Sequence, residues 1–214
     1  MVRALTRRGL ATVASLAVVA GYVDGFAFVY LGGYFVSFMS GNTTRAGAGL
    51  ASGDFAAVGF GALLIASFVA GAMVGTAVSR PARDRSVVVL AIVAVALAAA
   101  AASAGAGMPP WAAALLAFGM GAVNTAFADG GEVSFGITYM TGALVKVGQG
   151  IVIALRGGDR TGWIRHLVLW VSIAIGAVAG AAAHQLWGAV ALWVAVVWVL
   201  AVVLVRFGSA RARR

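Results

Sequence analysis

The chain has 214 residues, 63% of them hydrophobic and 10% charged, with a mean hydropathy of +1.03; these values exclude a water-soluble globular domain and place it in a lipid bilayer. The net charge of +9 sits on basic residues scattered at hydrophobic boundaries, without the folded basic face that nucleic acid needs. Zero cysteines exclude disulfides, thiolate metal sites and cysteine nucleophiles.

Residues 1–214 read as one membrane domain, with room for roughly six spanning helices of about 20 residues each. In chain order, apolar runs long enough to cross are Leu10 to Leu31, Phe55 to Val78, Val87 to Ala106, Trp111 to Ala128, Trp163 to Ala183 and Gly188 to Val205. The first follows "TRRG", which resembles a twin-arginine export signal, but apolar sequence continues past Asp24 without a cleavage-like site, so a retained span is expected. "SRPARDR", "GAGMPP", "RGGDRTG" and "HQLWG" mark the breaks.

Two polar passages interrupt this pattern, "VSFMSGNTTRAGAGL" at 36–50 and "ITYMTGALVKVGQGI" at 137–151. Treating both as broken or re-entrant pieces leaves six spans, and places the arginines of "SRPARDR" and "RGGDRTG" on the same side as both termini. The positive-inside rule makes that side cytoplasmic. A multi-pass protein of a bacterial inner membrane is therefore expected, with a basic tail at 207–214.

The passages align without a gap, pairing Met39 with Met140, Ser40 with Thr141, Gly41 with Gly142 and Arg45 with Lys146. Upstream, "GYVD" at 21–24 meets "GAVN" at 121–124, so Asp24 pairs with Asn124; downstream, Gly71 and Gly75 pair with Gly176 and Gly180. The chain thus reads as a duplication, 8–106 and 107–206. Three spans per copy make it an all-α inverted repeat, with a polar segment after the first helix of each copy.

These residues carry a family resemblance. "GYVDGFAFVYLGGYFVSFMSGNTTRAGAGLA" and "GMGAVNTAFADGGEVSFGITYMTGALVKVGQG" resemble the YoaK family of small bacterial inner-membrane proteins, departing where Ala143-Leu144 replaces Asn42-Thr43. The resemblance implies a membrane protein with a presumed transport role and names no substrate.

Irregular backbone at membrane depth is tolerated only inside protein or along a cavity, so the inserts are expected to face inward and converge near the midplane. Arg45 and Lys146 are candidates for an anionic group, or anchors that reach the interface. Asp24 is a candidate coupling carboxylate or counter-ion to Arg45, or a structural hydrogen-bonding group like Asn124. Ser40, Asn42, Thr43, Tyr139 and Thr141 offer groups that replace a solute's hydration, or cap and glue helices. Gly41 and Gly142 are expected at the backbone turns. The GxxxG pairs are packing faces.

The expected function is a small transporter or channel-like permease, for a small anion or carboxylate. The alternative is a membrane interaction or assembly protein that binds a partner or lipid in the polar groove. No metal-ligand cluster or nucleophile–base set is legible, so no enzyme, cofactor or metal is expected. The expected partners are the bilayer, a small solute and a second copy docked through the glycine faces.

Overall fold

Long alanine-, valine- and leucine-rich runs without interior proline favour helix, and in lipid helix also satisfies every backbone polar group within the segment. The computed structural model describes residues 7–78, 85–126 and 140–211, and these are mostly helical. They form α1 (Arg7–Tyr30), α2 (Met39–Ser52), α3 (Phe55–Val78), α4 (Arg85–Gly105), α5 (Pro109–Val123), α6 (Met140–Leu155), α7 (Ile164–Trp187) and α8 (Leu192–Arg211). Four helical stretches are long and apolar enough to cross a membrane: Gly9–Tyr30, Phe55–Val78, Ser86–Gly105 and Ile164–Val205. The last covers α7 and α8, which part at Gly188, where φ is 58° and a 3-10 turn begins. The tail expected from residue 207 continues α8 as far as Arg211.

Glycines decide which helices meet. A Cβ on Gly21 or Gly25 of α1 would overlap the backbone of Ile173 or Ala177 on α7, and one on Gly176 or Gly180 would overlap Val18 or Tyr22. The two backbones touch, and because the paired positions advance together, α1 and α7 run parallel. The same device joins α3 to α5. Gly71 lies against Phe118, Gly75 against Ala122 and Thr125, and Gly121 against Phe68. The paired glycines of the sequence alignment therefore hold equivalent places in the two crossings. Small residues give this close approach where lipid offers no hydrophobic driving force.

These faces are consequently used inside the chain. A second copy cannot dock on Gly71 and Gly75 or on Gly176 and Gly180 in the way the sequence suggested.

α8 packs on α4 and α1 and runs antiparallel to α1. Tyr22 donates its hydroxyl proton to the Ala191 carbonyl at 2.8 Å, and Trp198 donates Nε1–H to Ser15 Oγ at 2.9 Å. The Tyr22 bond is buried. Tyr22→Phe is expected to lower stability by about 1 kcal/mol, measurable as a lower thermal midpoint of the detergent-purified protein. The core lies between α1, α4, α5 and α8, around Leu16, Phe26, Leu90, Leu97, Leu116 and Leu192.

α2 and α3 form an antiparallel hairpin. Gly53 closes α2 at φ 76°, Asp54 Oδ1 accepts the Ala57 N–H at 3.0 Å to cap α3, and Gly61 lies against Ala46. Among the described residues α6 packs chiefly on α7, beside whose N-terminus Gly150 abuts Trp163.

Candidate functional site

The first polar insert begins where α1 ends. Gly32 and Gly33 take left-handed φ values of 66° and 92°, and the Gly33 N–H returns to the Phe28 carbonyl at 2.7 Å. The chain then doubles back along α1 as unwound residues 31–38 before α2 starts. Gly41, expected at the turn, instead lies in the first turn of α2, where a side chain would strike the rings of Phe35 and Phe38. Its role is to seat the Phe28–Phe35–Phe38 ring series, whose centroids are 5.1 and 5.4 Å apart. Gly142 likewise lies inside α6.

Unwound backbone at this depth needs partners for its N–H and C=O groups, and three side chains supply five of them. Asp24 Oδ1 accepts the N–H groups of Val36 and Ser37, both at 2.9 Å, and Oδ2 accepts the Ser37 hydroxyl. Asn42 is fully buried and grips Phe35 at both ends. Its Nδ2 donates to the Phe35 carbonyl at 2.6 Å and its Oδ1 accepts the Phe35 N–H at 3.1 Å. Arg45 donates Nη1–H to the Gly33 carbonyl at 2.8 Å and lies 4.0 Å over the Tyr34 ring. Tyr34 stands edge-on to Phe60 of α3 at 4.8 Å.

Phe38, at the N-cap of α2, makes no side-chain cap bond. Asp24 reaches across from α1 to the two residues before that cap, Val36 and Ser37. Arg45 is engaged by Gly33 and Tyr34, so the counter-ion reading of Asp24 and Arg45 is replaced by two separate clamps on one segment.

Depth follows from helical rise. Asp24 is six residues, or about 9 Å, before the end of α1, and the Gly33–Arg45 contact is level with that end. Arg45 is exposed there, close to the membrane boundary rather than the midplane.

The second insert lies elsewhere. α6 meets the N-terminal end of α7, which runs beside the N-terminal part of α1, so α2 and α6 occupy opposite ends of α1. α2 packs on α3 and α6 on α7, so the helical parts of the two inserts lie apart, while the stretch 132–139 that aligns with 31–38 lies outside the described residues. Thr141 and Lys146 are exposed on α6. Asn124 is buried at the end of α5 and donates to the Met120 carbonyl at 2.9 Å. Tyr139 lies outside the described residues, as do Thr138, Asp129, Glu132, Arg80 and Arg83.

Ser40 and Thr43 are exposed, and the Thr43 and Thr44 hydroxyls donate to the Met39 and Ser40 carbonyls of their own helix. Among the described residues no group of three His, Asp or Glu is placed to hold a metal ion. The sequence reading missed Gly32, Gly33 and Tyr34. Two adjacent glycines directly after an apolar span, followed by an aromatic residue, are the signal that marks them.

The family described as Protein of unknown function (DUF1275) matches residues 12–205. Over 186 residues the chain is 39% identical to "UPF0700 transmembrane protein RA0705" of Rhizobium meliloti (strain 1021), covering 87% of this chain and 80% of that protein. No solved structure matches it. A family match over nearly the full length, a transmembrane relative and helices of spanning length together make this chain a member of the DUF1275 family and a multi-pass membrane protein.

Proposed function

We propose that the protein is a small permease of the YoaK type in a bacterial inner membrane, with both termini cytoplasmic, that moves a small anion or carboxylate. The observation that carries this reading is the unwound segment 31–38, held inside the membrane by a carboxylate and followed by a half-length helix. Discontinuous elements of this kind form the solute and ion sites of inverted-repeat transporters.

Six spans result when α7 and α8 are counted separately and α5 is counted with them. Inversion of the halves is supported by helix direction. The chain doubles back after α1, α2 retraces the direction of α1, α3 reverses it, and α5 runs parallel to α3 and so opposite to α1. Two gates at opposite membrane faces fit this arrangement better than one shared midplane site. Asp24, Asn42 and Arg45 belong to the outer gate, and Thr141 and Lys146 to the inner one, with each cation drawing anions to its own mouth.

The test is flux into liposomes across a panel of organic acids, inorganic anions and inorganic cations. At least one small anion is expected to enter, and Arg45→Ala is expected to slow it roughly tenfold, equivalent to about 1.4 kcal/mol. Vesicles with protein that behave like empty vesicles across the panel would sink the proposal.

A second reading rests on α6, which has no buried residue. An open helix carrying Lys146 and Gln149 is a surface for a partner chain or a second copy in the membrane. Cross-linking from α6 to another polypeptide, with no flux, would favour it.

A further inference from the structure

We infer that Asp24 is a proton-released latch, which holds residues 31–38 closed when ionised and frees them when protonated, and that only the first half of the chain carries one. The inference rests on the reading of this segment as the moving part of a permease. Its test follows conformation, so it stands or falls separately from solute flux.

The geometry is that of an acceptor. Two backbone N–H groups and one hydroxyl, from Val36 and Ser37, converge on the two carboxylate oxygens. An ionised carboxylate is acceptor-only, whereas a protonated one gives up an acceptor site and weakens the remainder. The bonds are therefore strongest at higher pH and weakened as pH falls. Opening would not unravel the whole insert, because Asn42 and Arg45 grip Phe35 and Gly33 independently of the proton. The part released is Val36 and Ser37, at the entry to α2.

Among the described residues, the titratable and charged groups on the surrounding elements make no bond to Asp24, whose partners are Val36 and Ser37. Arg45 of α2 is on the Gly33 carbonyl and the Tyr34 ring. His184 of α7 stands edge-on to Phe26 and Tyr30 at 4.8 and 5.7 Å, further along α1. Tyr22 is bonded to Ala191, and the α3 face carries Phe60 against Tyr34. Asp24 is thus the group whose charge the segment senses.

The second half lacks both parts of the device. Asn124 stands in the place of Asp24 and has no proton to release near neutral pH, and Ala143 stands in the place of Asn42. The two aligned halves therefore differ at both positions, and the latch is assigned to the first mouth alone.

The absence of native cysteine makes the test direct. Val36 is fully buried and Thr43 is exposed. Single-cysteine forms Val36→Cys and Thr43→Cys are labelled with a thiol reagent in proteoliposomes, and the ratio of their rates cancels the intrinsic pH dependence of the thiolate. The ratio is expected to rise as pH falls from about 8 to about 5, by up to roughly tenfold per unit, the limit for one coupled proton. With Asp24→Asn the ratio should be high and flat. Should that variant not fold, Ser37→Ala removes one of the three bonds and is expected to raise the ratio at neutral pH while keeping the response. A wild-type ratio that does not change with pH, or a response that survives Asp24→Asn, would overturn the inference.

Discussion

Replacing Gly180 by leucine is expected to separate α1 from α7 and leave little folded protein. A Cβ alone at this position meets the Tyr22 carbonyl, which is helix backbone and cannot rotate away. Ordinary overpacking of a core costs about 1–3 kcal/mol; here two helices must move apart, which strips contacts along the whole crossing, so a larger loss is expected. The readout is the monodisperse yield on size-exclusion chromatography and the thermal midpoint in detergent. Gly47→Leu on α2 is the control, because a Cβ there meets nothing within 4 Å, and it should behave close to wild type. If Gly180→Leu purified with an unchanged midpoint, the backbone contact between α1 and α7 would have to be abandoned.

Asn42→Ala is expected to have the second largest effect, because it removes the donor and the acceptor that satisfy both backbone groups of Phe35. Each buried group left without a partner costs about 1–3 kcal/mol, so a combined loss of roughly 2–6 kcal/mol is expected. Hydrogen exchange followed by mass spectrometry should show faster exchange confined at first to the peptide around residues 33–38. Thr43→Val, one residue away on an exposed position whose hydroxyl bonds its own helix, should leave that peptide protected. Equal protection in Asn42→Ala would mean that Asn42 does not hold the segment.

Much of the architecture was legible because the signals involved are local or periodic. Apolar runs of spanning length gave the helices, and the Gly71/Gly75 and Gly176/Gly180 pairs gave the packing faces. What stayed hidden depends on where the chain goes after a turn. Gly41 looked like the turn because it lies in a duplicated motif, yet the left-handed residues are Gly32 and Gly33. Asp24 was open to three readings, as a coupling group, a counter-ion to Arg45 or a structural hydrogen-bonding group. The sequence does not show that the nearest unmet needs are backbone groups of residues 33–37, where Asp24 and Arg45 each clamp a different one. The expectation of converging inserts assumed that each leans towards the middle of the molecule. Packing of α2 on α3 and of α6 on α7 sends their helical parts to opposite ends.

The parallel seating of α1 on α7 also bears on how the protein is made. Gly21 and Gly25 line a groove whose occupant emerges from the ribosome about 150 residues later, a delay of roughly 8 to 30 s at ordinary elongation speeds. Until then the nascent first helix has its closest neighbour missing, and α3 waits in the same way for α5. The gene product should therefore tolerate being split into two co-expressed pieces that find each other in the bilayer, while either piece alone becomes prey for membrane quality-control proteases.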